Sequence, residues 1–477
     1  MVENTVRSIL SASQVSFGTS GLRGLVTDLN DQVCYAVTRG FLDHGVKSRG
    51  VTTGSKVLFA YDLRPSSPEI ALAVAKAITD AGMQPICCGT IPTPALALAS
   101  TQQSLPAVMI TGSHIPFDRN GIKFYYADGE ITKADEAPIA SSEVIVSGAL
   151  VANDLGDPDP APEEEYFQRY MTSFAGVLDG QRVGHFQHSA VGRDLTARLL
   201  QALGAEVTAL ERTSHFVPID TEAVSQADRE KAKAWSSEFG FDIIVSTDGD
   251  GDRPLLADEK GNFFQGDLLG VFSAKYLSAR TIVTPVSSNS VVEQSKWFDQ
   301  VIRTKIGSPH VIKSMEGMDA VIGYEANGGT LLGSDFTLPD GSTLSPLPTR
   351  DAILPILATV ALAKRENIPL SKLSDSLPPR FTRSDRLVDW PTHLSLALLA
   401  DLSEDEVKLS EFMEPFGKVV STDETDGLRA SLESGDIVHL RPSGNAPEFR
   451  VYVESSTTDR ADELLSQALD HLSKRAP

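Results

Sequence analysis

The stretch Phe241-Asp-Ile-Ile-Val-Ser-Thr-Asp-Gly-Asp-Gly-Asp-Arg253 joins an apolar run to three aspartates that alternate with glycines. The apolar run predicts a buried strand. The carboxylates need a cation among them, since at ~4 Å and an effective dielectric of ~20 each pair repels by about 4 kcal/mol. In an extended turn alternate side chains point in one direction, and the glycines let the backbone fold around a small hard cation. The stretch therefore predicts a Mg²⁺ site at the end of a strand.

Two other interpretations fit parts of this stretch. The three aspartates and Glu259 match positions 1, 3, 5 and 12 of a calcium-binding EF-hand loop, but Arg253 stands where that loop needs glycine. The flanking segments also resemble strands rather than helices. A solvated acidic turn is the plainer alternative, although such a turn rarely combines a regular aspartate alternation with a following arginine.

Composition limits the class of protein. The 477 residues are too many for one core and predict three or four domains of ~100–150 residues each. The formal net charge of −22 argues against nucleic acid as a partner, because phosphate backbones are met by basic surfaces. The sequence shows no apolar signal region and no run near the ~18 apolar residues of a membrane span, and its three cysteines follow no metal or disulfide pattern. We therefore expect a cytoplasmic protein that binds no membrane.

The order of strands and polar loops recurs along the chain. Apolar strands at 106–110, 241–245 and 320–323 each lead into a glycine-rich polar loop. This recurrence predicts an α/β fold with three related α/β domains and mixed sheets, whose loops gather at the carboxyl ends of the strands. The last region has a different pattern and predicts a C-terminal α+β domain, with a central cleft among the four.

Proline-rich segments mark two of the boundaries between these domains. They lie at 154–162 and 372–379, whereas the boundary near 258 has no shift in composition. The predicted domains are 1–155, 156–258, 259–372 and 373–477.

Three further loops carry groups suited to phosphate and sugar chemistry. Ser113 has His114 beside it, and a phosphorylated Ser113 would carry about −1.5 to −2 charges that a divalent ion at the aspartates would neutralise. Glu325 could accept from two vicinal hydroxyls, and Asn327 can both donate and accept. The segment Arg441-Pro-Ser-Gly-Asn445 offers a guanidinium, a hydroxyl, a backbone amide and a side-chain amide, which are the donors that a phosphate dianion needs.

Together these motifs resemble the α-D-phosphohexomutase family, which includes phosphomannomutases, phosphoglucomutases and phosphoglucosamine mutases. The resemblance spans the chain and rests on Phe17-Gly-Thr-Ser-Gly-Leu-Arg-Gly24, Thr111-Gly-Ser-His-Ile-Pro116 with Asn120-Gly-Ile-Lys123, Asp248-Gly-Asp-Gly-Asp-Arg253, Gly323-Tyr-Glu-Ala-Asn-Gly-Gly329 and Arg441-Pro-Ser-Gly-Asn445. It implies a phosphoserine enzyme with one Mg²⁺ per chain, hexose phosphates as substrates and a hexose 1,6-bisphosphate as intermediate and activator. The oligomeric state is expected to be a monomer or a homodimer.

The resemblance also implies a role for each matching residue. In the phosphoserine loop, residues 111–116, Ser113 resembles the phosphoserine, whose phosphate would bind the metal together with Asp248, Asp250 and Asp252 of the metal loop, residues 248–253. His114 and Lys123 are similar to the family's acid/base neighbours, and Arg23 to a cation that steers phosphate.

Further residues resemble the family's substrate-binding positions. Arg253 is similar to a residue that the metal loop orders near the substrate, and Lys305 is similar to a lysine that touches the substrate. Glu325 and Asn327, in what we name the sugar loop, residues 324–329, match the sugar-binding positions. Four residues of 441–445, which we name the phosphate clamp, match the positions of the family's phosphate-binding loop, namely Arg441, Ser443, Gly444 and Asn445.

The chain departs from the family pattern at several positions. Gly112 and Ile115 replace the usual alanine and asparagine of the phosphoserine loop, and the clamp has Asn445-Ala446 where many members have Thr-Glu. The sugar loop ends in Gly-Gly rather than the Gly-His of glucosamine and dual-specificity members. This loop and the segment 188–194 most resemble bacterial members that act on mannose phosphates, with glucose phosphates as the second expectation and glucosamine phosphates as the third.

Overall fold

The computed structural model describes residues 4–443 and 447–475 of the chain. Within this part, four large sheets follow one another, and a two-stranded ribbon accompanies the third. The first three sheets mix parallel and antiparallel pairs, whereas the last is antiparallel throughout. The predicted mixed-sheet α/β architecture is confirmed. Each sheet lies within one of the four predicted domain ranges, and the boundaries themselves stay predictions.

In the first sheet, the strand that leads into the phosphoserine loop pairs with the strand that carries Lys123. Its strands are β1 Ser16–Phe17, β2 Leu22–Leu25, β3 Lys56–Tyr61, β4 Gln84–Cys87, β5 Ala107–Ile110, β6 Arg119–Tyr126 and β7 Gly129–Glu130, and its helices are α1 Val6–Ala12, α2 Asp31–Ser48, α3 Ser67–Asp80, α4 Thr93–Gln103 and α5 Lys133–Ala140. The order is β1-β2-β6-β5-β3-β4, with β7 beside β6. Because β6 runs antiparallel to β5, Lys123 lies opposite Met109, close to where the phosphoserine loop begins.

The second sheet ends in a hairpin that carries the metal loop. The elements are α6 Ala161–Ser173, β8 Arg182–Phe186, α7 Arg193–Ala202, β9 Glu206–Leu210, α8 Gln226–Phe239, β10 Ile243–Thr247 and β11 Pro254–Ala257. The strand order is β11-β10-β8-β9. Strands β10 and β11 pair antiparallel, with Thr247 opposite Pro254, so the three aspartates occupy the turn between them.

The third sheet presents the sugar loop in the turn between two of its strands. The elements are α9 Gly266–Tyr276, β12 Thr281–Pro285, α10 Val291–Gln294, β13 Gln300–Thr304, α11 Ser308–Met315, β14 Val321–Tyr324, β15 Thr330–Leu332, β16 Phe336–Thr337, β17 Thr343–Leu344, β18 Leu347–Asp351 and α12 Ile353–Glu366. The order is β13-β12-β14-β15-β18, and β16 and β17 form the separate ribbon.

The C-terminal unit is an α+β structure with its own core. A 3₁₀ helix at Leu370–Ser376 leads into β19 Phe381–Leu387, α13 Thr392–Glu404, α14 Glu406–Met413, β20 Val419–Asp423, β21 Leu428–Leu432, β22 Ile437–Pro442, β23 Phe449–Ser455 and α15 Thr458–Ser473. The sheet order is β19-β23-β22-β21-β20.

The apolar cores show which units of the chain share packed side chains. Buried side chains of α4, α7, α9 and α12 pack in one cluster that runs through the first three units. The C-terminal unit packs around Trp390, Phe449 and Leu464 in a cluster that shares no residue with the former. None of the described helices has the length and hydropathy of a membrane-spanning segment.

Candidate active site

The three aspartates of the metal loop meet in a folded turn, not in the extended turn that was predicted. Asp248 N donates to Arg253 O over 3.0 Å, and Gly251 has a φ of 73°, in the left-handed region that suits glycine. One oxygen of each carboxylate lies within 4.8 Å of the others. The side chains are 0%, 0% and 1% exposed, which excludes a solvated acidic turn. The surrounding β-hairpin excludes an EF-hand, in which helices flank the loop.

The electrostatics of the metal loop favour a cation. Burial and repulsion from Asp250 and Asp252 raise the pKa of Asp248 well above its usual range. Burial also works to raise the pKa of Asp252, but Arg350, Lys123 and Arg253 outweigh it and lower that pKa. Within the described residues, Asp250 Oδ1 and Asp252 Oδ1 have no hydrogen-bond donor although both are buried. Three clustered carboxylates with two uncommitted oxygens could hold a hard divalent ion.

Ser113 contacts the metal loop directly. Its side chain is fully buried, and its Oγ donates to Asp248 Oδ2 over 2.6 Å across a sequence separation of 135 residues. The residue has a φ of 53°, a left-handed conformation that costs a non-glycine residue about 1–3 kcal/mol. Surrounding contacts must therefore hold the backbone of Ser113 in place.

Arg64, which the sequence analysis missed, supplies those contacts. Its guanidinium donates over 2.5–2.9 Å to four backbone carbonyls, those of Ser113, Ile115, Pro116 and Arg119. Its Nε lies 3.2 Å from Asp62 Oδ2, and both side chains are fully buried. A Cβ at Gly112 would lie 2.6 Å from Arg64 Cζ, so the replacement of the family's usual alanine makes room for this guanidinium. The only sequence feature that could have indicated this role is the position of Arg64 shortly after the strand β3.

Neighbouring charges shift the pKa values of Lys123 and His114 in opposite directions. Lys123 Nζ donates to Asp250 Oδ2 over 2.7 Å and to Asp252 Oδ2 over 2.8 Å. Burial works to lower the pKa of Lys123, but these two carboxylates outweigh it and raise the pKa. His114 Nδ1 accepts from Arg253 Nη1 over 2.9 Å, because an arginine can only donate. The charge of Arg253, together with burial, lowers the pKa of His114 to about 2, so the imidazole is neutral.

Arg23, Arg253 and Arg350 lie close enough to the aspartates, and to one another, for their charges to interact. Burial and the neighbouring charges of Arg253 and Arg350 lower the pKa of Arg23 to about 10. Such mutual repulsion between guanidinium groups favours binding of an anion among them, as a substrate phosphate would provide.

The sugar loop is linked to the metal loop by a second residue that the sequence analysis missed. Glu325 and Asn327 are 5% and 7% exposed. Asn327 Oδ1 accepts from Gly329 N over 2.9 Å, which stabilises the turn. Arg350, from β18, donates its Nη1 to Glu325 Oε2 over 3.0 Å and its Nη2 to Asp252 Oδ2 over 2.9 Å.

The phosphate clamp meets the third unit at Asp426. Asp426 Oδ2 accepts from Arg441 Nε over 2.8 Å and from Ile306 N over 3.0 Å, so the carboxylate joins the clamp to the loop that carries the exposed Lys305. Ser443 is buried at the end of β22. The predicted clamp residues Gly444 and Asn445 lie outside the described residues.

Comparisons with known proteins agree with this architecture. The family models described as Phosphoglucomutase/phosphomannomutase, alpha/beta/alpha domain I, alpha/beta/alpha domain III and C-terminal domain match residues 14–142, 265–381 and 399–471. A phosphomannomutase of Sinorhizobium fredii is 44% identical over 468 residues, covering 95% of this chain and 98% of the relative. A phosphomannomutase of Salmonella muenchen is 42% identical over 486 residues, covering 98% of this chain and 97% of the relative.

Solved structures share the fold. A Phosphoglucomutase/phosphomannomutase family protein from Burkholderia thailandensis aligns with a TM-score of 0.73 at 20% identity, covering 96% of this chain and 98% of that one. Full-length similarity to the curated relatives, together with the three matching family models, shows that the chain belongs to the phosphoglucomutase/phosphomannomutase family of mutases.

Proposed function

We propose that the protein is a phosphomannomutase, which interconverts mannose 6-phosphate and mannose 1-phosphate through an active-site phosphoserine and a hexose 1,6-bisphosphate. The contact between Ser113 Oγ and Asp248 Oδ2 carries the proposal, because a phosphoryl group on Ser113 would lie against the metal-binding carboxylates. The choice of mannose is supported by two relatives that are named phosphomannomutases and are 44% and 42% identical.

The proposed metal is one Mg²⁺, held by Asp248, Asp250, Asp252 and the phosphate on Ser113. When bound, it neutralises charge on the transferring phosphoryl group. The uncommitted oxygens of Asp250 and Asp252 support this assignment, since they are buried and lack a hydrogen-bond donor within the described residues.

In the first transfer, the bond between phosphorus and Ser113 Oγ breaks, and a bond forms to the free hydroxyl of the hexose phosphate. The hydroxyl loses a proton and Ser113 Oγ gains one, so the step needs a proton carrier. Lys123 is proposed for this role: as an ammonium, which its raised pKa favours, it would give a proton to Ser113 Oγ as the bond to phosphorus breaks, and the amine that remains would take the proton from the sugar hydroxyl. Arg253 donates to His114 Nδ1, so the proton of the neutral ring sits on Nε2. We therefore propose that His114 acts as a neutral hydrogen-bond donor through Nε2 and not as an acid or base.

The distal part of the substrate is proposed to bind between the sugar loop and the phosphate clamp. Glu325 and Asn327 would bind hydroxyls, while Lys305, Arg441, Ser443, Gly444 and Asn445 would bind the second phosphate. The bisphosphate must turn around before the return transfer. The separate core of the C-terminal unit supports an opening motion that would allow this turn.

The mutase proposal predicts a higher kcat/KM for mannose 1-phosphate than for glucose 1-phosphate. The measurement is a coupled assay with the matching hexose 1,6-bisphosphate supplied, since the two sugars differ only in the orientation of one hydroxyl. A higher value for glucose 1-phosphate would reassign the protein as a phosphoglucomutase. Steady release of inorganic phosphate without sugar product would indicate a phosphatase and contradict the mutase.

The metal proposal predicts that Asp250→Asn lowers activity and raises the Mg²⁺ concentration at half-saturation by roughly tenfold or more, since one charged ligand is lost. The Mg²⁺ dependence of both activity and the melting temperature would be titrated. Asp436→Asn is the matched control, because Asp436 is a buried carboxylate of the C-terminal unit that pairs with Arg460. An Asp250→Asn titration that overlays the wild type would argue against the site.

A further inference from the structure

Arg350 joins the metal loop to the sugar loop. Its side chain is buried, and the residue belongs to β18. Its Nε and Nη2 donate to Asp252 Oδ2 over 3.1 and 2.9 Å, and its Nη1 donates to Glu325 Oε2 over 3.0 Å and to Ser308 Oγ over 3.2 Å. One rigid guanidinium therefore contacts the metal loop, the sugar loop and the start of α11.

Gly329 provides the space for this arginine. A Cβ at Gly329 would lie 2.7 Å from Arg350 Cδ, 2.8 Å from Cγ and 3.0 Å from Cβ, and contacts below 3.0 Å require a neighbour to move. Gly329 has a φ outside the left-handed region, so its backbone conformation does not by itself demand glycine. The position is the one at which glucosamine and dual-specificity members of the family carry a histidine. In this chain the side chain of Arg350 occupies the space in which a side chain at position 329 would begin.

The contacts of Arg350 also determine which oxygen of Asp252 remains available. Asp252 Oδ2 accepts from both Arg350 and Lys123. Oδ1 lies 3.5 Å from Arg253 Nε and has no hydrogen-bond donor among the residues that the structure describes. Arg350 therefore holds Asp252 by Oδ2, which leaves Oδ1 uncommitted, and it holds Glu325 through another nitrogen of the same guanidinium.

We propose that Arg350 is a positioning residue that couples cation binding at Asp252 to sugar binding at Glu325, and that Gly329 is glycine because the stem of Arg350 fills the space of its side chain. The sugar half of this inference rests on the proposed function, whereas the cation half does not. A lysine could not replace the arginine, since a single ammonium lacks the planar fork that reaches both carboxylates.

The test compares Arg350→Lys, Arg350→Ala, Gly329→Ala and the double variant Gly329→Ala/Arg350→Ala. The Mg²⁺ midpoint is measured from the rise in melting temperature without sugar, and KM and kcat are measured with mannose 1-phosphate. Arg350→Lys is expected to raise both the Mg²⁺ midpoint and KM by about tenfold, equal to about 1.4 kcal/mol each. Gly329→Ala should shift both in the same direction, because its methyl group displaces the arginine stem. Arg198→Ala, which removes an exposed pair with Glu164, is the control.

The double variant decides whether Gly329 acts through Arg350. With the stem removed, the added methyl group has room, so Gly329→Ala should change neither quantity further in the Arg350→Ala background. Full additivity of the two substitutions would overturn the proposed link. An unchanged Mg²⁺ midpoint in Arg350→Lys would overturn the coupling role, even if Arg350→Ala fails to fold. Absence of mutase turnover in every variant, wild type included, would refute the proposed function but leave the Mg²⁺ measurement decisive for Arg350.

Discussion

Substitution of Ser113 by alanine is expected to lower mutase turnover by roughly 10³-fold or more while the protein still folds. The reason is that the proposed phosphoryl carrier, Ser113 Oγ, is removed. The folded state loses one hydrogen bond to Asp248, a contact of 2.6 Å, which is worth about 1–3 kcal/mol because the acceptor is a carboxyl group. Turnover of mannose 1-phosphate and urea unfolding would be measured on the same preparations.

Ser113→Gly is the matched control for this experiment. Because Ser113 has a φ of 53°, glycine relieves a strain that alanine retains, and Ser113→Gly should be more stable than Ser113→Ala by about 1 kcal/mol. Both variants should be equally inactive. Turnover within tenfold of the wild type in either variant would refute the phosphoserine role.

Substitution of Arg64 by methionine is expected to lower the free energy of unfolding by about 3–5 kcal/mol and to abolish most activity. The change breaks a fully buried ion pair with Asp62 and leaves that carboxylate without its partner. It also removes the donors to four carbonyls of the phosphoserine loop and its continuation, which releases Ser113 from its strained conformation. Urea unfolding and steady-state turnover provide the two readouts.

Two further variants separate the causes of this loss. Arg193→Met removes donors to the carbonyls of His188 and Thr213 at a half-buried site, where the described residues form no buried ion pair with Arg193, and should cost about 1 kcal/mol. Asp62→Asn in the Arg64→Met background should recover stability without recovering activity, since the uncompensated charge is gone but the loop is still unsupported. Wild-type stability in Arg64→Met would contradict this account.

The strands that deliver the functional loops were predictable because apolar runs and the turns after them are local features. The runs at 106–110, 241–245 and 320–323 are observed as β5, β10 and β14, with starts displaced by one or two residues. The metal loop was predictable in the same way, because repulsion among adjacent carboxylates is visible in the sequence. Its folded backbone was not, since it depends on the hydrogen bond between Asp248 N and Arg253 O.

The meeting of Ser113 with Asp248 was expected from the charge of a phosphorylated Ser113 and from the family resemblance, because no local pattern relates residues separated by 135 positions. The roles of Arg64, Arg350 and Asp426 were not anticipated at all. Each is a charged side chain whose partners come from several chain segments, and periodicity carries no information about which segments converge on it.

The sequence by itself determined the order of strands and loops, the carboxylate cluster and the membership of a family of mutases, because these depend on local composition and on motifs in a given order. Only the tertiary structure decided that Arg64 supports the phosphoserine loop and that Arg350 occupies the space left by Gly329. The physical reason is that a long cationic side chain is stabilised where several oxygens converge around it, and that convergence exists only once distant segments of the chain have packed together.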